Sequence, residues 1–265
     1  MDARKQWLVY LGKSVVDFLD YLGQTSVLLV RTLFWVFKPP LSFKRMFEQM
    51  FKIGVASLPI VSLTALFTGM VLALQSAYQM QKVSAQVYIG SLVSLSMTRE
   101  LGPVLTALVV AGRVGAAITA EIGTMQVTEQ IDALEALATN PIKYLVVPRL
   151  LALFFMLPIL TIYSDYIGII GGYIIGVFKL NISHTLYLKA TFDPMHFKDI
   201  FTGLLKSCVF AAIICIIACY EGFRTDGGAE GVGKATTRSV VTAFVYIVSA
   251  DCLITAIFYF SPLFR

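Results

Sequence analysis

From Ile53 to Gln81 no side chain carries a charge, and a lysine stands at each border, Lys52 and Lys82. About 20 predominantly apolar residues suffice for a helix to cross the hydrocarbon core of a bilayer. This run is longer than that, so it reads as a membrane span. Further apolar stretches at about 150–178, 200–221 and 239–262 repeat the signal. The chain is 57% hydrophobic and 14% charged; a soluble domain carries about a quarter charged residues. The charge here is too sparse to clothe a water-soluble globule, so a bilayer is the solvent for most of the chain.

The segments between these runs set the topology. Residues 1–38 have helical spacing, with Leu8, Leu11, Val15, Phe18, Leu19 and Leu22 on one stripe and Arg4, Lys5, Lys13, Asp17 and Asp20 largely off it. That pattern suits a helix in the membrane interface, or one packed on the bundle. Lys38-Pro39-Pro40 ends it. No cleavable signal peptide is expected, because Ser26–Phe37 is interrupted by Arg31 and lacks a cleavage pattern. The basic residues ahead of the first span place the amino end inside. Val83–Gly123 carries Arg99-Glu100, Gly102-Pro103 and Arg113. We read one crossing, kinked near Gly102-Pro103, with two crossings as the alternative. Beyond it Thr128 is placed to N-cap a short helix. Glu129, Asp132 and Glu135 form its acidic face, Leu134 and Leu137 lie on another, and Asn140-Pro141 stops it. In the third span Gly168, Gly172 and Gly176 recur every four residues, as do Gly112, Ala116 and Ala120 earlier; small residues at that spacing let helices approach closely in lipid. An outer loop, 179–198, holds His184 and His196, read as solvated. A Gly-rich loop from Glu221 to Arg238 joins spans four and five. The expected fold is all-α and integral to the membrane: five transmembrane helices, an N-terminal interfacial amphipathic helix before them, and a short cytoplasmic helix between spans two and three.

Little in the chain can do covalent chemistry. Gly228-Ala-Glu-Gly-Val-Gly233-Lys234 resembles the start of a phosphate loop, but Ala235 stands where Ser or Thr must hold magnesium, and no strand precedes it. The four cysteines lie in apolar segments without His or carboxylates at ligand spacing, and read as small buried apolar residues. The net charge of +5 flanks membrane segments and comes with no nucleic-acid motif. The anomalies are charges inside apolar runs: Arg99, Glu100, Arg113, Glu121, Asp165 and Asp251. Each costs at least about 2.5 kcal/mol at a bilayer centre, so each calls for a cavity or a partner. Arg99 has the chemistry to neutralise a lipid phosphate; an interhelical ion pair that only fixes the fold is an equal alternative. The acidic face at 129–137 is either solvated or a dock for a cytoplasmic partner.

Several ordered motifs carry a resemblance. Arg99-Glu-Leu-Gly-Pro103, Ala111-Gly-Arg113, Thr119-Ala-Glu121-Ile-Gly123 and Thr128-Glu-Gln130 resemble the core signature of MlaE-type permeases. Gly69-Met-Val-Leu72, Asn140-Pro141, Pro148-Arg149 and Ala235-Thr-Thr-Arg238 also fit. The resemblance covers roughly residues 50–260 and divides the chain into an interfacial helix and connector, 1–48, and a permease domain, 49–265. It implies a homodimeric subunit of an ABC transporter in the bacterial inner membrane, amino end cytoplasmic, moving phospholipid or related lipid. The implied partners are a second copy, a cytoplasmic ABC ATPase, an MCE-domain protein and, in some members, a STAS-domain subunit. No cofactor is implied in this chain; ATP and magnesium belong to the ATPase. By the same resemblance Thr128, Glu129, Asp132, Glu135 and Asn140 belong to a coupling helix, Arg99 and Glu100 are cavity charges, and Leu72 and Leu101 are apolar lining. Met80 and Val83 are assigned to the lining too, from a stretch that departs from the motif. Arg113, Glu121, Asp165 and Asp251 keep no assigned role. The competing class is an ion-coupled secondary transporter using buried carboxylates.

Overall fold

The computed structural model describes residues 3–39, 42–82 and 85–260. Among these residues the chain is helical, with no strand. Five helical stretches are long and apolar enough to cross a membrane: Phe43–Gln81, Gln86–Val127, Ile142–Lys179, Phe197–Phe223 and Gly228–Phe260, spans one to five below. Helix Ala3–Val36 precedes them. Residues 86–127 form one helical run, so the single crossing holds and the two-crossing alternative falls. This places the short acidic helix, Gln130–Ala136, on the same side as the turn between spans four and five. Helix His184–Phe192, between spans three and four, lies on the opposite side.

Spans three and four form the middle of the bundle. Span three packs on spans one, two and four; span four packs on spans two, three and five. One core cluster joins spans two to five, centred on Val110, Leu153, Leu157, Phe210 and Ile214. A second joins span one to spans two and three and to helix His184–Phe192, through Ala73, Ala77, Val93, Met97 and Tyr187. Burial pushes the phenol of Tyr187 up to about 12.

The glycines of span three act as the sequence spacing predicts. Gly168 and Gly171 lie directly against the backbone of span one at Gly69 and Leu66, while Gly172 faces Val93 and Gly176 faces the Tyr187 ring. A side chain at Gly69 would overlap the Gly168 carbonyl. We expect Gly69→Leu to cost about 3 kcal/mol, the upper range for overpacking. The check is thermal unfolding in detergent against Gly23→Leu, whose site is open. The second row, Gly112, Ala116 and Ala120, is not a tight seam: Gly112 is exposed and the alanines are half-buried. The close-packed face of span two instead runs through Gly115, Thr119 and Gly123. There Thr119 Oγ1 lies 2.8 Å from Ser239 Oγ and 3.0 Å from the Ala218 carbonyl, tying spans two, four and five by hydrogen bonds.

The N-terminal helix takes the second of its two readings over its later half, and two segments after it differ from the sequence reading. Helix Ala3–Val36 packs through Thr25, Leu28 and Thr32, with Tyr21 and Val36 beside them. Val15 and Leu19 of the expected stripe are exposed, and the side chains of Leu8, Leu11 and Phe18 lie outside the described residues. Span one starts earlier than its charge-free run, with an amphipathic helix, Phe43–Gly54, whose Phe43, Phe47 and Phe51 point outward. The expected loop 221–238 is mostly helix. Gly227 and Gly228, at φ 77° and 69°, make the reversal, and the helix then begins, with Lys234 pairing to Glu230 one turn back. Burial of Ala235 and Ser239 against the bundle outweighs the poor helix propensity of the glycines. The phosphate-loop-like stretch is therefore a helix.

Candidate functional site

Span two departs from regular helix where its charges are. The backbone widens by one residue per turn at Met97–Leu101 and again at Ala111–Gly115; such π turns recur at functional positions. Pro103 has no N–H to offer the Arg99 carbonyl four residues back. Lys206 Nζ of span four donates to that carbonyl at 3.1 Å instead.

Lys206 is only 2% exposed, and its ammonium is fully satisfied. It ion-pairs with Glu100, lies 2.8 Å from Asp251 Oδ1 of span five, and donates to Thr255 Oγ1 at 2.8 Å. Thr255 in turn donates to Glu100 at 3.2 Å. One cation thus holds two carboxylates from different spans. Beside it Arg99 Nε donates to Asp199 Oδ1 at 2.7 Å. Asp199 is itself fixed, because its other oxygen accepts the His196 N–H in a reciprocal cap of span four. The side chain of Arg99 remains 50% exposed. It faces an open groove of about 830 Å³ that Glu100, Lys198, Asp199 and Lys206 also line, with Phe197, Phe258 and Tyr259 as aromatic walls. A groove with both charge signs at its floor and apolar walls has the chemistry to hold an amphiphile.

The other predicted residues fall in different places. Leu72, Met80 and Leu101 pack against the second core cluster and do not line this groove; Val83 lies outside the described residues. Arg113 donates to Ser57 Oγ at 2.6 Å and to the Lys52 carbonyl, clamping span two to span one. Glu121 pairs with Arg149 at 3.0 Å. Asp165 lies against Gly102, and its buried Oδ1 has no hydrogen-bond partner among the described residues. Asp251 belongs to the Lys206 cluster. The sequence reading missed Lys206 and Asp199, although Lys206 is the lone charge between Asp199 and Glu221. It also placed Arg149 and Glu221 at loop borders, whereas both are buried in helices. Both histidines are exposed, as expected; each also has a local partner, His184 Nδ1 bonding the Tyr173 hydroxyl and His196 capping span four.

The acidic helix is held more rigidly than its length suggests. Glu129 stands before it at φ 59° and Ala138 follows it at φ 55°. Left-handed backbone at non-glycine residues costs about 1–3 kcal/mol and persists only where surroundings enforce it. Ile131, 5% exposed, anchors the helix to the core, and Leu134 packs beside it. Leu137 is 75% exposed. Thr128 is not the N-cap: it closes span two, donating to the Thr124 carbonyl at 2.7 Å, while Glu129 occupies the cap position. Asn140 does not stop the helix but starts the next. Its Oδ1 accepts the N–H groups of Ile142 and Lys143, and Pro141 fills the first helical position. Glu129, Asp132 and Glu135 are all exposed.

Comparison with known proteins adds a family to this geometry. Residues 46–257 match the family described as Permease MlaE. The chain is similar to a probable ABC transporter permease protein of Rickettsia prowazekii, 46% identical over 249 residues, 94% of this chain and 96% of the relative. It is also similar to the intermembrane phospholipid transport system permease protein MlaE of Haemophilus influenzae, 39% identical over 252 residues, again 94% and 96%. A probable ABC transporter permease protein of Synechocystis is 50% identical over 200 residues, 76% of each chain.

Proposed function

The chain belongs to the MlaE permease family, and on that premise we propose that it moves phospholipid or related lipid between the bacterial inner membrane and an MCE-domain partner. Two copies form the membrane unit, amino ends cytoplasmic. A separate cytoplasmic ATPase binds ATP and magnesium and supplies the work; some members of the resembled family add a STAS-domain subunit. The observation that carries this reading is the acidic helix Gln130–Ala136: Asp132 and Glu135 are exposed on it and Glu129 just before it, and the helix is locked between left-handed Glu129 and Ala138. A rigid, charged projection between two spans can pass a partner's motion to both. The helical state of residues 228–234 supports placing ATP hydrolysis on another chain.

In this reading the aromatic walls of the groove receive acyl chains and Arg99 exchanges Asp199 for a lipid phosphate. Arg99 is half exposed and Asp199 is buried, so the exchange leaves Asp199 with the His196 N–H as its remaining donor. Arg99→Ala is expected to lower co-purified lipid severalfold at a stability cost of about 1–2 kcal/mol, for the buried Asp199 acceptor it leaves with the His196 N–H alone. Unchanged lipid in a folded Arg99→Ala protein would remove Arg99 from the binding role. The whole proposal is tested by a mild-detergent pull-down and by lipid transfer assayed with ATP. Recovery of an ATPase and an MCE-domain protein, with ATP-dependent transfer, supports it. Asp165, buried and unpartnered, favours the competing ion-coupled reading, which predicts that an ionophore stops transfer and ATP depletion does not.

A further inference from the structure

On the acidic-helix side, a second pocket of about 380 Å³ lies between the end of helix Ala3–Val36, the opening helix of span one and the start of span three. Arg45 and Lys143 supply its charge, and Trp35, Phe43 and Tyr144 its aromatic surface. The Arg45 guanidinium lies 3.5 Å from the centre of the Tyr144 ring, and Lys143 Nζ lies 5.4 Å from that of Trp35. Lys38 approaches the same Trp35 ring from outside at 5.2 Å. Among the described residues no carboxylate lines the pocket or pairs with these three cations. The floor is apolar, with Met46, Val147 and Leu151.

Its position fixes what it meets. Phe43, Phe47 and Phe51 point outward from the same short helix that carries Lys44, Arg45 and Lys52. Aromatic rings and cations interleaved at the end of a span mark the level of the lipid headgroups. Basic pockets between helices at that level bind anionic headgroups. Ala138, Thr139 and Asn140, the residues that lead out of the acidic helix, also line the pocket.

We infer that this pocket binds the phosphate headgroup of an anionic phospholipid from the adjoining leaflet, at a site separate from the Arg99 groove, and that occupancy steadies the exit of the acidic helix. The Tyr144 ring orients Arg45, and the Trp35 ring with the Pro39 carbonyl orients Lys143, without neutralising either charge, and the apolar floor takes the first part of an acyl chain.

The test uses the pocket's own tryptophan. The full chain has two tryptophans, so Trp7→Phe leaves Trp35 as the sole reporter. In phosphatidylcholine vesicles, brominated phosphatidylglycerol should quench Trp35 with saturation at a low mole fraction. Brominated phosphatidylcholine should quench only in proportion to its amount. Arg45→Gln with Lys143→Gln should shift the phosphatidylglycerol saturation upward by about tenfold or more, as expected when two cations leave a headgroup site. Leu151→Phe, which fills the floor and keeps both charges, should weaken saturation as well and covers the case in which the double variant fails to fold. Equal quenching by the two lipids, or an unchanged curve in both variants, overturns the assignment. Reversal of the quenching by millimolar inorganic phosphate also overturns it, since the ligand would then be a soluble anion.

Discussion

Lys206→Met is expected to remove about 3 kcal/mol of stability, the low end of the range for breaking a buried ion pair by deleting one partner, because the carboxylates it leaves, Glu100 and Asp251, are only partly buried. Methionine matches the length of the lysine stem and fills the same space, so packing changes little. What is lost is the one cation that, among the described residues, pairs with Glu100 and Asp251, with the donors to Thr255 Oγ1 and to the Arg99 carbonyl. Two carboxylates from spans two and five then face each other with no counter-charge, and the carbonyl that Pro103 leaves open loses this donor. Unfolding in detergent, followed by heating and size exclusion, should show the loss beside the smaller one of Arg99→Ala. The decisive companion is the triple change Lys206→Met, Glu100→Gln, Asp251→Asn. Neutralising a buried set as a unit is far less costly than orphaning its members, so the triple variant should recover most of the lost stability. If Lys206→Met is as stable as the parent, the cluster does not hold spans two, four and five together.

The reason this cluster escaped the sequence reading is physical. Spans are legible because a bilayer filters composition locally: a charge-free run long enough to cross reads as a helix wherever its partners lie. The same locality made the glycines of span three readable, since small residues every four positions lay one bare stripe along a helix whatever packs against it. A buried cation is different. Lys206 is tolerable only because Glu100 and Asp251, far away in the chain, converge on it, and Arg149 only because Glu121 reaches it from span two. A single sequence holds no record of that convergence. Helix ends failed for a related reason. Thr128 and Asn140 are both good capping residues, and which end each caps depends on the left-handed turns at Glu129 and Ala138. Nothing in the identity of a glutamate or an alanine announces that conformation. The start of span five was masked by its glycines, which are helical because the neighbouring face is buried.

Replacing Glu129, Asp132 and Glu135 together by lysine should abolish ATP-driven lipid transfer while leaving the permease folded. All three side chains are exposed, and exposed substitutions usually change stability by no more than about 0.5 kcal/mol each. Lysines in the first turn also oppose the helix dipole, which adds about 0.3–1 kcal/mol per charge. The fold can bear this, because Ile131 and the Asn140 cap hold the helix from its other face and from beyond its end. A partner selected to meet three carboxylates cannot: like-charge juxtaposition across an interface costs several kcal/mol, enough to lower affinity by at least about a hundredfold. The measurement is recovery of the ATPase with the tagged chain, alongside ATP-dependent transfer. Asp17→Lys with Asp20→Lys, exposed on the N-terminal helix, is the control for added positive charge and should leave both intact. Normal assembly of the reversed helix would show that its carboxylates are merely solvated. Contact would then have to rest on the one large apolar side chain the segment presents outward, Leu137. Leu137→Asp would become the next variant to fail or to spare the complex.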